Sequence, residues 1–329
     1  MAGTISTRDA VELAVVERSG FVESRHAGSA VVLSPEGEVI RELGDITTPI
    51  LPRSTLKPFQ ALAVLTSGVT LRGEDAAIAT ASHSGTAGHV ALAKGILDRA
   101  GVSPDALQCP PAWPQDSASR DQAARAGVGP QRLTMNCSGK HSAMLAACVA
   151  NGWPTDTYLE LDHPLQKRIL ELIERLASER PVATAIDGCG APVHALSLGG
   201  LARGIQKVTS ASSTSPFALF REAAALTAAV REHPWVIAGP GQPDTIAIER
   251  LGVFAKGGAE GVMVATSPDG TTLALKMLDG SPRATMLVAL RLFVDVGVLP
   301  ESAVDEVLTE LDLWITGGGA RVGRIRSSV

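Results

Sequence analysis

With 329 residues, 45% of them hydrophobic and 19% charged, the chain has the composition of a compact folded enzyme, not of a disordered or fibrous protein. A formal charge of −5, with no long run of one sign, excludes the basic footprint of a nucleic-acid or anionic-membrane binder. No stretch has the apolar length of a membrane span, and MAGTISTRDAVELAVV lacks the basic-then-apolar build of a secretion signal, so a cytoplasmic protein is expected.

In chain order, residues 12–16 and 29–33 read as strands, the second turning through SPEGE into a third, EVIREL. RSTLKPFQ (53–60) opens a helix over 57–67. Pro58 is tolerated cheaply only in a first helical turn, which sets the start near Ser54 or Thr55. The apolar AAIAT reads as a buried strand running into the hydroxyl-rich loop ASHSGTAGHV. Helices are expected over 87–100, 119–126, 141–150, 163–177 and 216–232, the last two opened by Asp162-His163-Pro164 and Ser215-Pro216. Strands return from about 251 in GVFAKGG, GVMVATSPDG and TTLALKMLDG, with two Asp-Gly turns, before the helix RATMLVALRLFVDVG. The tail TGGGARVGRIRSSV reads as a last short strand or a frayed end. Strands at both ends with helices between imply an α+β fold. One mainly antiparallel sheet would unite the N- and C-terminal strands in a single domain, 1–329, with a helical region of roughly 87–235 inserted.

Chemistry concentrates at a few places. Ser54 and Lys57 lie three apart, almost one helical turn, at a helix start whose free amides suit an oxyanion. A hydroxyl beside an amine is what serine acyl transfer without a histidine base requires, although a lone S-x-x-K is more often a capping serine and a solvated lysine. The loop at 81–90 offers Ser82, His83 and Ser84; NCSGKHSAML offers Asn136, Cys137, Lys140 and His141; DGCGAPVHAL sets Cys189 between glycines two residues after Asp187; AKGGAEGV carries Lys256 at a strand start. Gly139 would permit a tight backbone at a helix start, leaving the preceding amides to bind an anion. The four cysteines, at 109, 137, 148 and 189, are too few for a disulfide framework. Their spacing shows no C-x-x-C or H-x-x-x-H, so it gives zinc little support, and Cys109 and Cys148 read as buried thiols.

Taken in order, RSTLKPFQ, ASHSG, NCSGKHSAML, DGCGAPVHAL and AKGGAEGV resemble the pattern of the rhizobial-type L-asparaginases, often called asparaginase II. The likeness runs from VERSGFVESRHAGSAVVLSPEGEV to LALKMLDGSPRA, nearly the whole chain. It implies a fold similar to serine β-lactamases and glutaminases, a homodimer, and hydrolysis of L-asparagine to aspartate and ammonia. By the same resemblance, Ser54 with Lys57 and Ser82 with Lys256 match two catalytic serine–lysine pairs. Cys137, Lys140 and Cys189 match zinc-binding positions, with zinc in a non-hydrolytic role. Ser84 is a second serine in the 82-loop, and the tail lacks an asparagine expected from the family pattern.

The mechanism expected on this footing has neutral Lys57 take the proton of Ser54, with Ser82 as nucleophile left as the reverse assignment. Crowded ammonium groups and burial would depress the amine. Arg53 would meet the substrate carboxylate, with His83, Asn136 and Asp187 as further substrate contacts. Three alternatives remain: a glutaminase, a penicillin-interacting serine hydrolase (disfavoured by Lys-Gly-Gly where K-T-G is usual), and a non-enzymatic zinc or thiol-binding protein.

Overall fold

The computed structural model describes residues 3–329. The chain enters through β1 (Val11–Arg18), β2 (Phe21–Leu33) and β3 (Val39–Leu43). A 3₁₀ turn, Arg53–Leu56, leads into α1 (Lys57–Leu65), followed by α2 (Glu74–Thr80), α3 (Ala87–Ala100), α4 (Ser117–Arg125), α5 (Ser138–Asn151) and α6 (Pro164–Ala177). A small hairpin, β4 (Thr184–Ile186) and β5 (Pro192–His194), precedes α7 (Leu198–Thr209), α8 (Ala218–Glu232) and α9 (Pro243–Leu251). Then come β6 (Phe254–Gly258), β7 (Val262–Thr266), β8 (Thr272–Met277), α10 (Thr285–Asp295), α11 (Glu301–Glu310), β9 (Trp314–Gly317) and β10 (Ala320–Ser327).

The large sheet runs β6-β7-β8-β2-β1-β10-β9, with β3 also paired to β2, and its pairings are antiparallel. N- and C-terminal strands therefore share one sheet, as the α+β reading expects. The tail is ordered: β10 pairs along β1, Ala14 opposite Ser327. Every residue of β7 and β8 is buried, so both faces are covered there, and α7 and α10 pack against these strands. Of the two Asp-Gly pairs, Asp269-Gly270 turns β7 into β8, while Asp279-Gly280 turns the chain from β8 toward α10. No helix among the described residues is long and apolar enough to cross a membrane.

Several expectations are corrected. AAIAT is not a strand but the body of α2; Glu74 and Asp75 fill its first turn, where the helix dipole favours carboxylates. The helix at RSTLKPFQ opens as a 3₁₀ turn and becomes α-helical only at Lys57. His163, not Asp162, caps α6, its ring accepting from the Leu165 amide. Helix α8 begins at Ala218, two residues past Pro216, after Ser215 has bonded the Phe217 amide. Gly139 lies at the start of α5, which begins at Ser138 and not at 141. A Cβ there would stand 2.5 Å from the Ile78 carbonyl oxygen, so the glycine lets α5 close on α2.

Candidate active site

Four chain segments meet where the helices abut the sheet. The start of α1, the end of α2 and the start of α5 pack on one another, and the 3₁₀ turn lies against β6. Strand β6 is a sheet edge, so its outer side is free to face that turn. Gly258 brings it close: a Cβ there would lie 3.4 Å from the Ser54 amide nitrogen and 3.0 Å from the Pro52 carbonyl.

The centre of the cluster is Ser82. Its Oγ accepts from Lys57 Nζ at 2.9 Å and from Lys256 Nζ at 2.8 Å. Lys57 is the first residue of α1, and its amine also donates to Ala81 O at 2.5 Å. Lys256 Nζ donates in addition to Gly257 O at 2.6 Å. Both lysines are buried. Burial first, and the charge of Lys57 second, depress Lys256 to about 7, against the opposing pull of Asp244 and Cys137. Of the two serine–lysine pairs expected from sequence, Ser82 and Lys256 are in hydrogen-bond contact, while the Lys57 amine turns to Ser82. The Lys57 amide donates to Ser54 O, but among the described residues no side-chain hydrogen bond joins Ser54 to Lys57; both amines converge on Ser82, and Lys256 is depressed.

Ser54 is half-buried in the 3₁₀ turn, immediately after Arg53, whose φ of 55° lies in the left-handed region that non-glycine residues avoid. Its amide falls in the first turn, among N–H groups that have no intrahelical acceptor. Amides around Ser82 are by contrast engaged: Ser82 N donates to Ile237 O, His83 N to Asn136 O, and Gly85 N to His83 Nδ1.

Beside this cluster stands a sulfur-rich one. Lys140 Nζ donates to Cys189 Sγ at 3.1 Å. A hydrogen bond from Cys189, then the charges of Lys57 and Lys140, hold Cys137 well below the ordinary thiol range despite burial. Cys189 is raised, by its bond to Cys137 and by burial. Burial pulls Lys140 down, but Cys189, Cys137 and Asp187 outweigh it and raise the amine. The β4–β5 turn delivers Cys189: Gly190 N donates to Asp187 O, and Gly190 takes a φ of 87°. Among the described residues, no three or more His, Cys, Asp or Glu are placed to hold a metal. The donors at the zinc-matching positions are two thiols and an amine; they lie together, and each proton on them would have to leave on binding. Cys109 and Cys148 are buried free thiols, both raised to about 11, mainly by burial.

The other expected substrate contacts divide. Arg53 Nε donates to Asp187 Oδ1 at 2.7 Å, so these two residues bind each other at the rim of the site. Burial pushes Asp187 up, yet the Arg53 hydrogen bond and the Gly188 amide prevail and lower it. Asn136 Oδ1 lies 3.2 Å from Cys137 Sγ and its carbonyl holds the Ser82 loop through His83 N. His83 is fully buried, bonded to Ser138 Oγ and Gly85 N, and stacked on His89. Burial, His89 and Lys57 hold it well below the usual histidine value, a neutral support beneath the loop.

Sequence reasoning missed Asp244, at the start of α9. Its Oδ2 accepts from Gly257 N at 2.7 Å, next to Lys256. The available signal was slight: Gln242-Pro243-Asp244 reads only as a helix start. A cavity of about 700 Å³ between α10, α11, β9 and β10 contains none of the residues above.

A sequence profile described as L-asparaginase II matches residues 14–327. No curated protein gives a significant match. Among solved structures, one described as Mglu in its glutamate form superposes with a TM-score of 0.46 at 13% identity, over 82% of this chain and 61% of that one. The chain therefore spans about three fifths of that protein. A Bacillus glutaminase gives 0.41 at 14%, over 83% and 92% of the two chains. EstCE1, a hydrolase with promiscuous acyltransferase activity, gives 0.42 at 11%, over 79% and 92%. All three overlaps are loose, and none bears on the chemistry.

Proposed function

The chain belongs to the L-asparaginase II family of amidohydrolases, and from that premise we propose that it hydrolyses L-asparagine to L-aspartate and ammonia through an ester on serine. One observation carries the reading: two buried lysine amines share a single serine hydroxyl, Ser82, and one of them, Lys256, sits near 7. An amine with that value is part neutral at neutral pH and can take a proton, which an ordinary lysine near ~10.4 cannot.

Ser54 is the attacking hydroxyl in this mechanism. It lies between α1, which carries Lys57, and the edge strand that carries Lys256. Its own first-turn amide is the oxyanion donor, a role the engaged amides around Ser82 do not offer. As Ser54 Oγ attacks the side-chain carbonyl, its proton passes to Ser82 Oγ while the proton of Ser82 moves to Lys256 Nζ. Lys57 keeps Ser82 oriented from the other side. The proton returns to the departing nitrogen, which leaves as ammonia, and water then opens the ester by the reverse relay. Arg53, held by Asp187, presents its remaining N–H groups to the α-carboxylate, and the second oxygen of Asp187 receives the α-ammonium.

Direct contact of both amines with Ser82 favours a second reading, in which Ser82 itself forms the ester. Acid quench during turnover, followed by mass spectrometry of the esterified peptide, separates them: the acyl mass is expected on the peptide holding Ser54. An ester on Ser82 selects the second reading, and no ester with either substitution (Ser54→Ala or Ser82→Ala) tolerated overturns both. Ammonia release from asparagine beside that from glutamine tests the substrate, because one methylene is worth only ~1–3 kcal/mol of discrimination.

Cys137, Cys189 and deprotonated Lys140 are the residues that would hold zinc. Bound there, the ion would supply a fixed positive charge and a cross-link between α5 and the β4–β5 turn. A homodimer belongs to the same proposal, and sedimentation equilibrium tests it.

A further inference from the structure

The lysine that serves as base in this reading has an anchoring chain of its own. Lys256 Nζ donates to Gly257 O at 2.6 Å, and Gly257 N donates to Asp244 Oδ2 at 2.7 Å. Asp244 thus grips the backbone on one side of residue 257, while the carbonyl on its other side holds the amine. Asp244 is only 9% exposed, and it reaches the bare outer side of β6 from the first turn of α9. A Cβ on Gly257 would lie 3.3 Å from both carboxylate oxygens. The carboxylate therefore occupies the room that the middle side chain of a K-T-G strand would need, which gives a physical reason for Lys-Gly-Gly here.

We propose that Asp244 is a positioning residue for the reaction: its carboxylate clamps the edge of β6 at Gly257 and so sets where the Lys256 amine meets Ser82. This rests on the proposed serine–lysine chemistry. The clamp has an electrostatic side as well. The groups facing Lys256 are Lys57 from α1, which depresses it, and Asp244 from α9 and Cys137 ahead of α5, which raise it. A carboxylate so placed keeps the amine from being driven down further, and so keeps it a stronger base when neutral.

Two substitutions separate the parts. Asp244→Ala removes clamp and charge, and is expected to lower kcat about 10²-fold with little change in KM, the usual cost of a misplaced catalytic group. Asp244→Asn keeps an acceptor for the Gly257 amide without the charge. It is expected to recover most of the rate and to move the acid limb of kcat/KM to lower pH by about half a unit. Parental kcat in Asp244→Ala, or an unmoved acid limb in Asp244→Asn, overturns the proposal. If Asp244→Ala does not fold, Asp244→Asn and the parent still decide it, through ¹⁵N NMR titration of the Lys256 amine and hydrogen exchange at the Gly257 amide. Those two readouts need no turnover. Should the parent prove inactive on amides, the functional reading fails, while a lower Lys256 titration with a still protected Gly257 amide in Asp244→Asn upholds the clamp.

Discussion

Lys256 and Lys140 are both fully enclosed lysines, in neighbouring clusters, and they are bent in opposite directions. Around Lys256 the nearest strong influence after burial is another cation, Lys57, and the amine falls to about 7. Around Lys140 two sulfurs and Asp187 overcome the same burial, and the amine is raised. Burial alone makes a lysine neither base nor fixed cation; the sign of the charge beside it decides. Lys57 touches both clusters in effect, since its charge depresses Lys256 and also helps hold Cys137 below the ordinary thiol range. One ammonium therefore favours the neutral form of an amine on one side and the ionised form of a thiol on the other.

The sharpest way to break this contrast is to remove each amine in turn. Lys256→Met is expected to cut kcat for ammonia release by about 10³-fold, in the range a general base contributes. Lys140→Met should leave a measurable fraction of the parental rate. Equal losses would mean that the two lysines are not distinguished as described. Next in size is the pH profile: kcat/KM should fall as pH drops through about 7, because Lys256 must be neutral to accept a proton.

Stability offers a smaller, independent check. The folded value of Lys256 lies below its unfolded one, so between about 7 and ~10.4 the unfolded chain binds more protons and this group makes stability rise with pH. Denaturant melts of Lys256→Met at pH 7 and 9 should show that rise diminished. Lys140, raised in the fold, contributes the opposite way: its stabilisation is present below the unfolded value and lost as pH climbs through the folded one. Gly139→Ala should cost about 1–3 kcal/mol by forcing α5 off Ile78, without altering the pH limb. Last, thiolate absorbance in the ultraviolet at neutral pH should diminish in Cys137→Ser and in Cys189→Ala, which removes the hydrogen bond that chiefly lowers Cys137.

Much of the fold was legible because its patterns are strong. Helix α6 buries Leu165, Ile169, Leu172, Ile173 and Leu176 along one stripe. AAIAT deceived because four apolar residues and a threonine fit a buried strand or a buried helix equally. Helix α7 went unseen behind Gly199, Gly200 and Gly204, which argue against a helix by propensity. Their use is close packing: a Cβ on Gly204 would come within 2.8 Å of the Phe59 ring. At the site, the residue types at 54, 57, 82, 137, 140, 189 and 256 were readable, and their segments do assemble. Pairing by sequence interval misled at Lys57, whose amine turns to Ala81 and Ser82 on a different segment.

What the chain's own order of residues determined was the inventory: two serines, three lysines and two thiols in motifs that resemble one family, on strands and helices whose hydrophobic periods declare themselves. Only the tertiary structure decided which hydroxyl faces which amine, which lysine is driven down, and that Asp244 guards the strand edge. The reason is that helical and strand periods are local, set by neighbours a few residues away. A hydrogen bond or a depressed amine depends on distance, exposure and charge among residues up to 174 positions apart in the chain, quantities that exist only once the segments have packed.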